Sequence, residues 1–131
     1  MAASAAPFLM FEGKAEEAMS FYVETLPGGQ IHSLVRWTEG GPGKPGSVMH
    51  AVFEVAGLKV MCSDSPISHG FTFTPSTSIF VTCEAEDELR RMAHALGADG
   101  GVLMPLDNYG FSRLFTWVND RFGVSWQLNL P

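Results

Sequence analysis

The sequence predicts an α+β fold of two similar modules, each running β-α-β-β-β. Three observations predict it. Two amphipathic helical patterns stand about 70 residues apart, a period too long for a solenoid repeat. Each is preceded by one short β-prone run and followed by three. The last hairpin of the first half, "VFEVAGLKVMCS", also lies over that of the second, "FTWVNDRFGVSWQLN", once the second turn is allowed three extra residues. On that overlay Gly57 falls on Gly123, Val60 on Trp126, Met61 on Gln127 and Ser63 on Asn129.

The first module opens with the strand "PFLMF". A helix follows, because Ala15, Ala18, Met19, Tyr22 and Leu26 recur at helical spacing. Glu16 and Glu17 sit in its first turn, where the macrodipole favours them, and Pro27-Gly28-Gly29 stops it. The strands "GGQIHSLVRW", "SVMHAVFEV" and "LKVMCSD" complete the module. Between the first two lies "TEGGPGKPGS", which lacks the Gly-Lys-Ser/Thr ending of a phosphate loop and is followed by no helix. It reads as a mobile hairpin loop.

The Ser-, Thr- and Pro-rich stretch "SDSPISHGFTFTPSTS" reads as a linker. The second module begins with "SIFVTCE" and a helix carrying Leu89, Met92, Ala93 and Leu96 on one face. Glu86/Arg90 and Asp87/Arg91 are i,i+4 pairs on its wet side, where His94 also lies, and Gly97 suits the C′ position. "GGVLMPL", "SRLFTWV" and "VSWQLNL" follow. Neither module can cover its sheet alone, so the expectation is one domain over residues 1–131. Module one takes about 7–64, the linker about 65–76 and module two about 77–131.

Bulk properties narrow the function classes. A chain of 131 residues, 46% hydrophobic and 17% charged, is globular rather than disordered. Its apolar runs are too short to cross a bilayer, and "MAASAAPFLMF" lacks the basic start of a secretory signal. Cys62 and Cys83 show neither metal spacing nor a disulfide framework, the pattern of free thiols in a cytoplasmic protein. A net charge of −6 with sparse Lys and Arg provides no basic face for nucleic acid, although it favours cationic small molecules.

The final strand poses the functional question. Val124, Trp126, Leu128 and Leu130 alternate with Ser125, Gln127 and Asn129, so one face is core and the other carries uncharged polar groups. Alternation leaves open whether those groups meet water or a cavity.

"PFLMFEGKAEEAMSFY", "MCSDSP" and "DRFGVSWQLNL" together resemble the PhnB-like branch of the vicinal-oxygen-chelate (glyoxalase/bleomycin-resistance/dioxygenase) superfamily. The resemblance covers nearly the whole chain. It implies two curved mixed sheets around a shared cavity, and a homodimer. Ser125, Gln127 and Asn129 would then line the cavity. Alternation adds Arg113, Phe115 and Trp117 from the preceding strand. The repeat adds His50, Val52, Glu54, Met61 and Ser63, while Ala51, Phe53, Val55, Val60 and Cys62 face a helix. The candidate ligand-binding residues are therefore His50, Glu54, Met61, Arg113, Phe115, Trp117 and Gln127. Among them His50 is a candidate base or a satisfied half-buried histidine. Glu54 and Arg113 form an internal ion pair or hold a ligand's charge, and Phe115 with Trp117 is either a stacking wall or ordinary core.

Metal-dependent relatives carry ligands at positions that resemble Pro7 and Gln127 here, and neither residue suits a divalent ion. A set drawn from His50, Glu54, Asp64 and His69 lacks any recurring metal spacing. The expectation is no metal and no cofactor. Members of this branch often carry the inherited name demethylubiquinone methyltransferase, yet no Gly-x-Gly run follows a strand and precedes a helix. The resemblance thus implies binding of a small molecule in a metal-poor cavity. The alternative is a metal-dependent lyase, isomerase or dioxygenase of glyoxalase type with non-standard ligands. No nucleic-acid or membrane partner is expected.

Overall fold

The computed structural model describes residues 2–131 and divides into two compact units, one running to Gly70 and the other from Phe71. The first contains β1 (Phe8–Phe11), α1 (Ala15–Thr25), β2 (Gln30–Arg36), β3 (Val48–Val55) and β4 (Leu58–Asp64). The second contains β5 (Ile79–Thr82), α2 (Glu86–Gly97), β6 (Gly101–Asp107), β7 (Leu114–Asn119) and β8 (Ser125–Leu130). Each unit forms a four-stranded mixed sheet, ordered β1-β4-β3-β2 and β5-β8-β7-β6. In both, the opening strand pairs in parallel with the closing one, as a crossover through a helix requires, and the other pairs are antiparallel. The repeat visible in the sequence is thus a repeat of topology.

One face of each sheet is sealed by its helix. In the first unit α1 buries Ala15, Ala18, Met19 and Tyr22, and the sheet buries Ala51, Phe53, Val55, Val60 and Cys62. The Tyr22 and Phe53 rings lie 6.1 Å apart. In the second, α2 buries Leu89, Met92 and Leu96 while β7 and β8 bury Thr116, Val118, Trp126 and Leu128. The period-two division of these strands is the one expected, with Trp126 fully buried.

The two repeated hairpins turn differently. Ala56 and Gly57 both take positive φ (50° and 83°), the conformation of a tight two-residue turn. The three extra residues of the second hairpin are organised by the buried Asp120. Its Oδ1 accepts from the amides of Phe122 (2.8 Å) and Val124 (3.1 Å), and its Oδ2 from Trp126 Nε1 (2.8 Å). The longer turn exists to place this carboxylate.

Three expectations need correction. Gly97 is the last helical residue of α2 rather than C′, and the positive φ beyond it falls on Asp99 (59°). Arg90 reaches Glu86 at 2.8 Å, but Asp87 and Arg91 form no pair, because Asp87 Oδ1 accepts the Glu88 amide instead. "TEGGPGKPGS" is a hairpin loop, but one fastened over Trp37. Trp37 exchanges backbone bonds with Ser47 and Gly46, and its Nε1 donates to the Asp64 carbonyl (3.1 Å). Gly43 lies so close that a Cβ there would meet the indole at 2.3 Å.

No helix among the described residues is long and apolar enough to cross a membrane. Cys62 and Cys83 are both buried and free. Burial, reinforced by Asp64, pushes the Cys62 thiol up to about 12; burial and Glu88 push Cys83 up to about 11, against one backbone hydrogen bond that lowers it. Alkylation needs an accessible thiolate, so neither should react with iodoacetamide at pH about 8 until the chain unfolds. Intact mass is the readout, and rapid labelling of native protein would show that these strands open.

Candidate functional site

The faces that the helices do not cover carry the candidate residues. On the first sheet Phe8, Met61 and Val52 stand in one row across β1, β4 and β3, with Met10 and Ser63 paired beside it. His50 lies half-buried on the same side, its ring 6.3 Å from that of Phe8. Glu54 stands next to Lys59 across the β3–β4 pair, and its Oε1 lies 2.9 Å from His32 Nε2. A bulge between Ile31 and Ser33 inserts His32 into β2 as an extra residue, which brings its ring to Glu54.

On the second sheet Phe80, Gln127 and Trp117 form a row across β5, β8 and β7, followed by Thr82, Asn129 and Phe115. Trp117 Nε1 donates to Ser125 Oγ (2.7 Å), and Gln127 Nε2 donates to Ser78 Oγ (2.6 Å). Asn119 Oδ1 and Asn129 Oδ1 are buried without a hydrogen-bond partner. Such orphaned acceptors each carry a desolvation cost of about 1–3 kcal/mol.

Of the seven candidates, His50, Glu54 and Met61 share the first face, and Phe115, Trp117 and Gln127 share the second. Arg113 stands apart. It precedes β7, is exposed, and its Nε donates to the Pro131 oxygen. Glu54 has His32 as its partner and Arg113 has the Pro131 oxygen.

Sequence reasoning missed an aromatic group in the second unit. Phe111 meets Phe115 edge-on at 5.0 Å, Tyr109 meets Phe115 at 6.0 Å, and Tyr109 stacks on Phe111 at 6.1 Å. Phe80 joins from β5, 6.4 Å from Phe115. Tyr109 and Phe111 lie in the β6–β7 loop, where no periodicity reports a facing. Their crowding in "DNYGFS" was the available signal.

A divalent metal ion would need three or four converging His, Asp or Glu donors. Pro7 offers only its carbonyl, which accepts the Met61 amide, and Gln127 is tied to Ser78. Asp64 lies on the helix side of β4, away from His50 and Glu54, with both oxygens taken by backbone amides of Gly13, Ala15 and Val48. His69 Nε2 bonds Ser65 Oγ. Among the described residues no three His, Cys, Asp or Glu side chains come together to hold a metal ion. The residues present do not fit one.

Paired β-α-β-β-β units with one helix-covered and one open face per sheet are the construction of the vicinal-oxygen-chelate fold. A glyoxalase/bleomycin-resistance/dioxygenase domain from Frankia shares it at 12% identity, over 99% of this chain and 92% of that one (TM-score 0.69). The family described as 3-demethylubiquinone-9 3-methyltransferase matches residues 3–129. The PhnB protein of Bacillus cereus is 52% identical over 98% of this chain and 99% of its own, with a TM-score of 0.94. Escherichia coli YjdN is 26% identical over 95% of this chain and 92% of its length. The chain belongs to this PhnB-like family of the superfamily. The methyltransferase of the family's description finds no nucleotide loop here: the β1–α1 and β5–α2 junctions read Glu12-Gly13-Lys14 and Cys83-Glu84-Ala85.

Proposed function

We propose that this PhnB-like chain is a single domain that binds a small molecule without a metal or cofactor. The observation that carries the reading is the uncharged polar strip on the second face. There Ser125, Gln127 and Asn129 sit beside Trp117 and Phe115, and two buried amide oxygens lack partners. Aromatic faces beside half-buried amides with spare hydrogen-bonding capacity suit a small ligand that is partly flat and partly polar. In the first unit His50, Glu54 and Met61 share the face that the helix does not cover. The unpaired cysteines suit a cytoplasmic setting, and a net charge of −6 disfavours a nucleic-acid partner.

The same proposal includes a homodimer. Both sheets end in exposed, apolar outer strands: Ile31 and Val35 on β2, and Val102, Leu103 and Leu106 on β6. Unpaired edges of this composition invite a second chain.

The test is a fragment titration followed by two-dimensional proton–nitrogen NMR. Fragments should shift the side-chain amides of Gln127 and Asn129 and the indole N–H of Trp117. Gln127→Leu should leave thermal stability within about 1 kcal/mol, as a half-exposed side chain allows, while changing which fragments bind. Shifts scattered over the surface, or a Gln127→Leu chain with an unaltered fragment profile, would contradict the proposal.

A further inference from the structure

From the aromatic group of the second unit, we infer that the site takes a neutral, planar aromatic ring bearing an N–H or O–H donor, gripped between Phe80 of β5 and the Tyr109–Phe111 loop. This rests on the small-molecule reading above and narrows its ligand.

The rings are exposed yet held. Phe80 is 54% and Phe111 61% accessible, although each packs against the buried Phe115. The loop that presents Tyr109 and Phe111 is ordered by its own bonds. Tyr109 Oη donates to the Pro105 carbonyl, Asn108 Oδ1 accepts the Gly110 amide (2.7 Å), and Gly110 takes the positive φ (92°) the turn requires. Aromatic faces fixed in advance lose little entropy on binding and prefer another flat ring in offset or edge-on contact.

The floor between them sets the polarity. Asn129, opposite Phe115, has a buried Oδ1 with no partner. Gln127, opposite Trp117, commits its Nε2 to Ser78 and leaves Oε1 as an acceptor. The Asn129 oxygen is closed off, so Gln127 Oε1, on a half-buried side chain, is the acceptor a ligand's donor can reach. No charge lies on that floor. Beside the loop, Asp107 Oδ1 accepts the Asn108 amide and the Arg113 guanidinium is on the Pro131 oxygen. A charged ligand would find no counter-ion, so the complementary ligand is uncharged.

The probes are the bicyclic lactam carbostyril, its N-methyl derivative, which has no donor, and pyrrolidinone, which has a donor but no aromatic ring. Calorimetry on the full chain should show carbostyril binding in the millimolar range or tighter, N-methylcarbostyril about tenfold weaker, and pyrrolidinone weaker still. Phe80→Ala and Phe111→Ala should each weaken carbostyril about three- to tenfold, the worth of one aromatic pair. Thermal melts should shift only slightly, because both side chains are more than half exposed. Phe8→Ala, on the other unit's face, should leave carbostyril's contact with Gln127 in place, read from its side-chain amide shifts. Failure of carbostyril to bind, or binding indifferent to Phe80 and Phe111, overturns the inference. If pyrrolidinone still shifts the Gln127 amide in that case, the small-molecule reading survives without the aromatic one; if no probe shifts it, both fall. Carbostyril that only alters self-association, by size-exclusion chromatography with light scattering, would mean that a second copy covers these rings, and would also overturn it.

Discussion

Trp126→Ala is expected to destabilise the protein by about 3–5 kcal/mol, enough to unfold much of it at ambient temperature if total stability is of the ordinary 5–15 kcal/mol. Trp126 is fully buried on the helix side of β8, between Val118 on the neighbouring strand and the layer formed by α2. Truncation removes the largest buried side chain and opens a cavity that close-packed strands cannot collapse to fill. It also removes the indole N–H from Asp120 Oδ2, a charge-assisted bond in a buried turn. Trp126→Phe separates the two effects, since it keeps most of the volume and loses only the donor. Urea melts should rank Ala well below Phe, and Phe below the parent. By contrast Gln127→Leu, one residue along but on the open face, should be nearly silent in the same melts. If Gln127→Leu proved the more destabilising, the facing assigned to β8 would be wrong.

Asp64→Ala is the second large effect. The Asp64 carboxylate ends β4 and ties three distant points together: Oδ1 accepts from Gly13 (2.7 Å) and Ala15 (3.0 Å), and Oδ2 from Val48 (2.9 Å). The position before α1 is Lys14, whose side chain makes no capping bond, so Asp64 caps the helix from across the unit. It adds a negative charge at the helix end where the dipole favours one. Alanine would leave buried amides without acceptors at a cost of about 3–5 kcal/mol in all. Asp64→Asn keeps one acceptor oxygen and should lose less. Amide hydrogen exchange at Gly13, Ala15 and Val48 gives the local readout. A melt within about 1 kcal/mol of the parent, or exchange unchanged at those amides, would show that the carboxylate is dispensable.

What could be read from the sequence was whatever alternation and periodicity report. Helix α1 was found from five apolar positions, and β4 appears with the bounds of "LKVMCSD". The two faces of β7 and β8 were assignable because one face of each is almost wholly apolar. Contacts between residues far apart in the chain were not legible. Asp64 looked like a spare metal ligand because its partners lie 16 to 51 residues away. The partner of Glu54 was equally hidden: a bulge in β2, which no pattern announces, delivers His32 to it. The Tyr109–Phe111 loop was passed over because period-two reasoning stops where a strand does. The recurring glycines of "TEGGPGKPGS" suggested mobility, whereas Gly43 is glycine because the Trp37 indole fills the space.

Elemental analysis decides whether the proposed small-molecule site works without a metal ion. Protein purified without chelator or added metal should contain well under one equivalent of Zn, Ni, Mn or Fe per chain. Its melting temperature should not change on dialysis against EDTA. About one mole of a transition metal per chain, lost together with stability on His50→Ala or Glu54→Ala, would contradict the account.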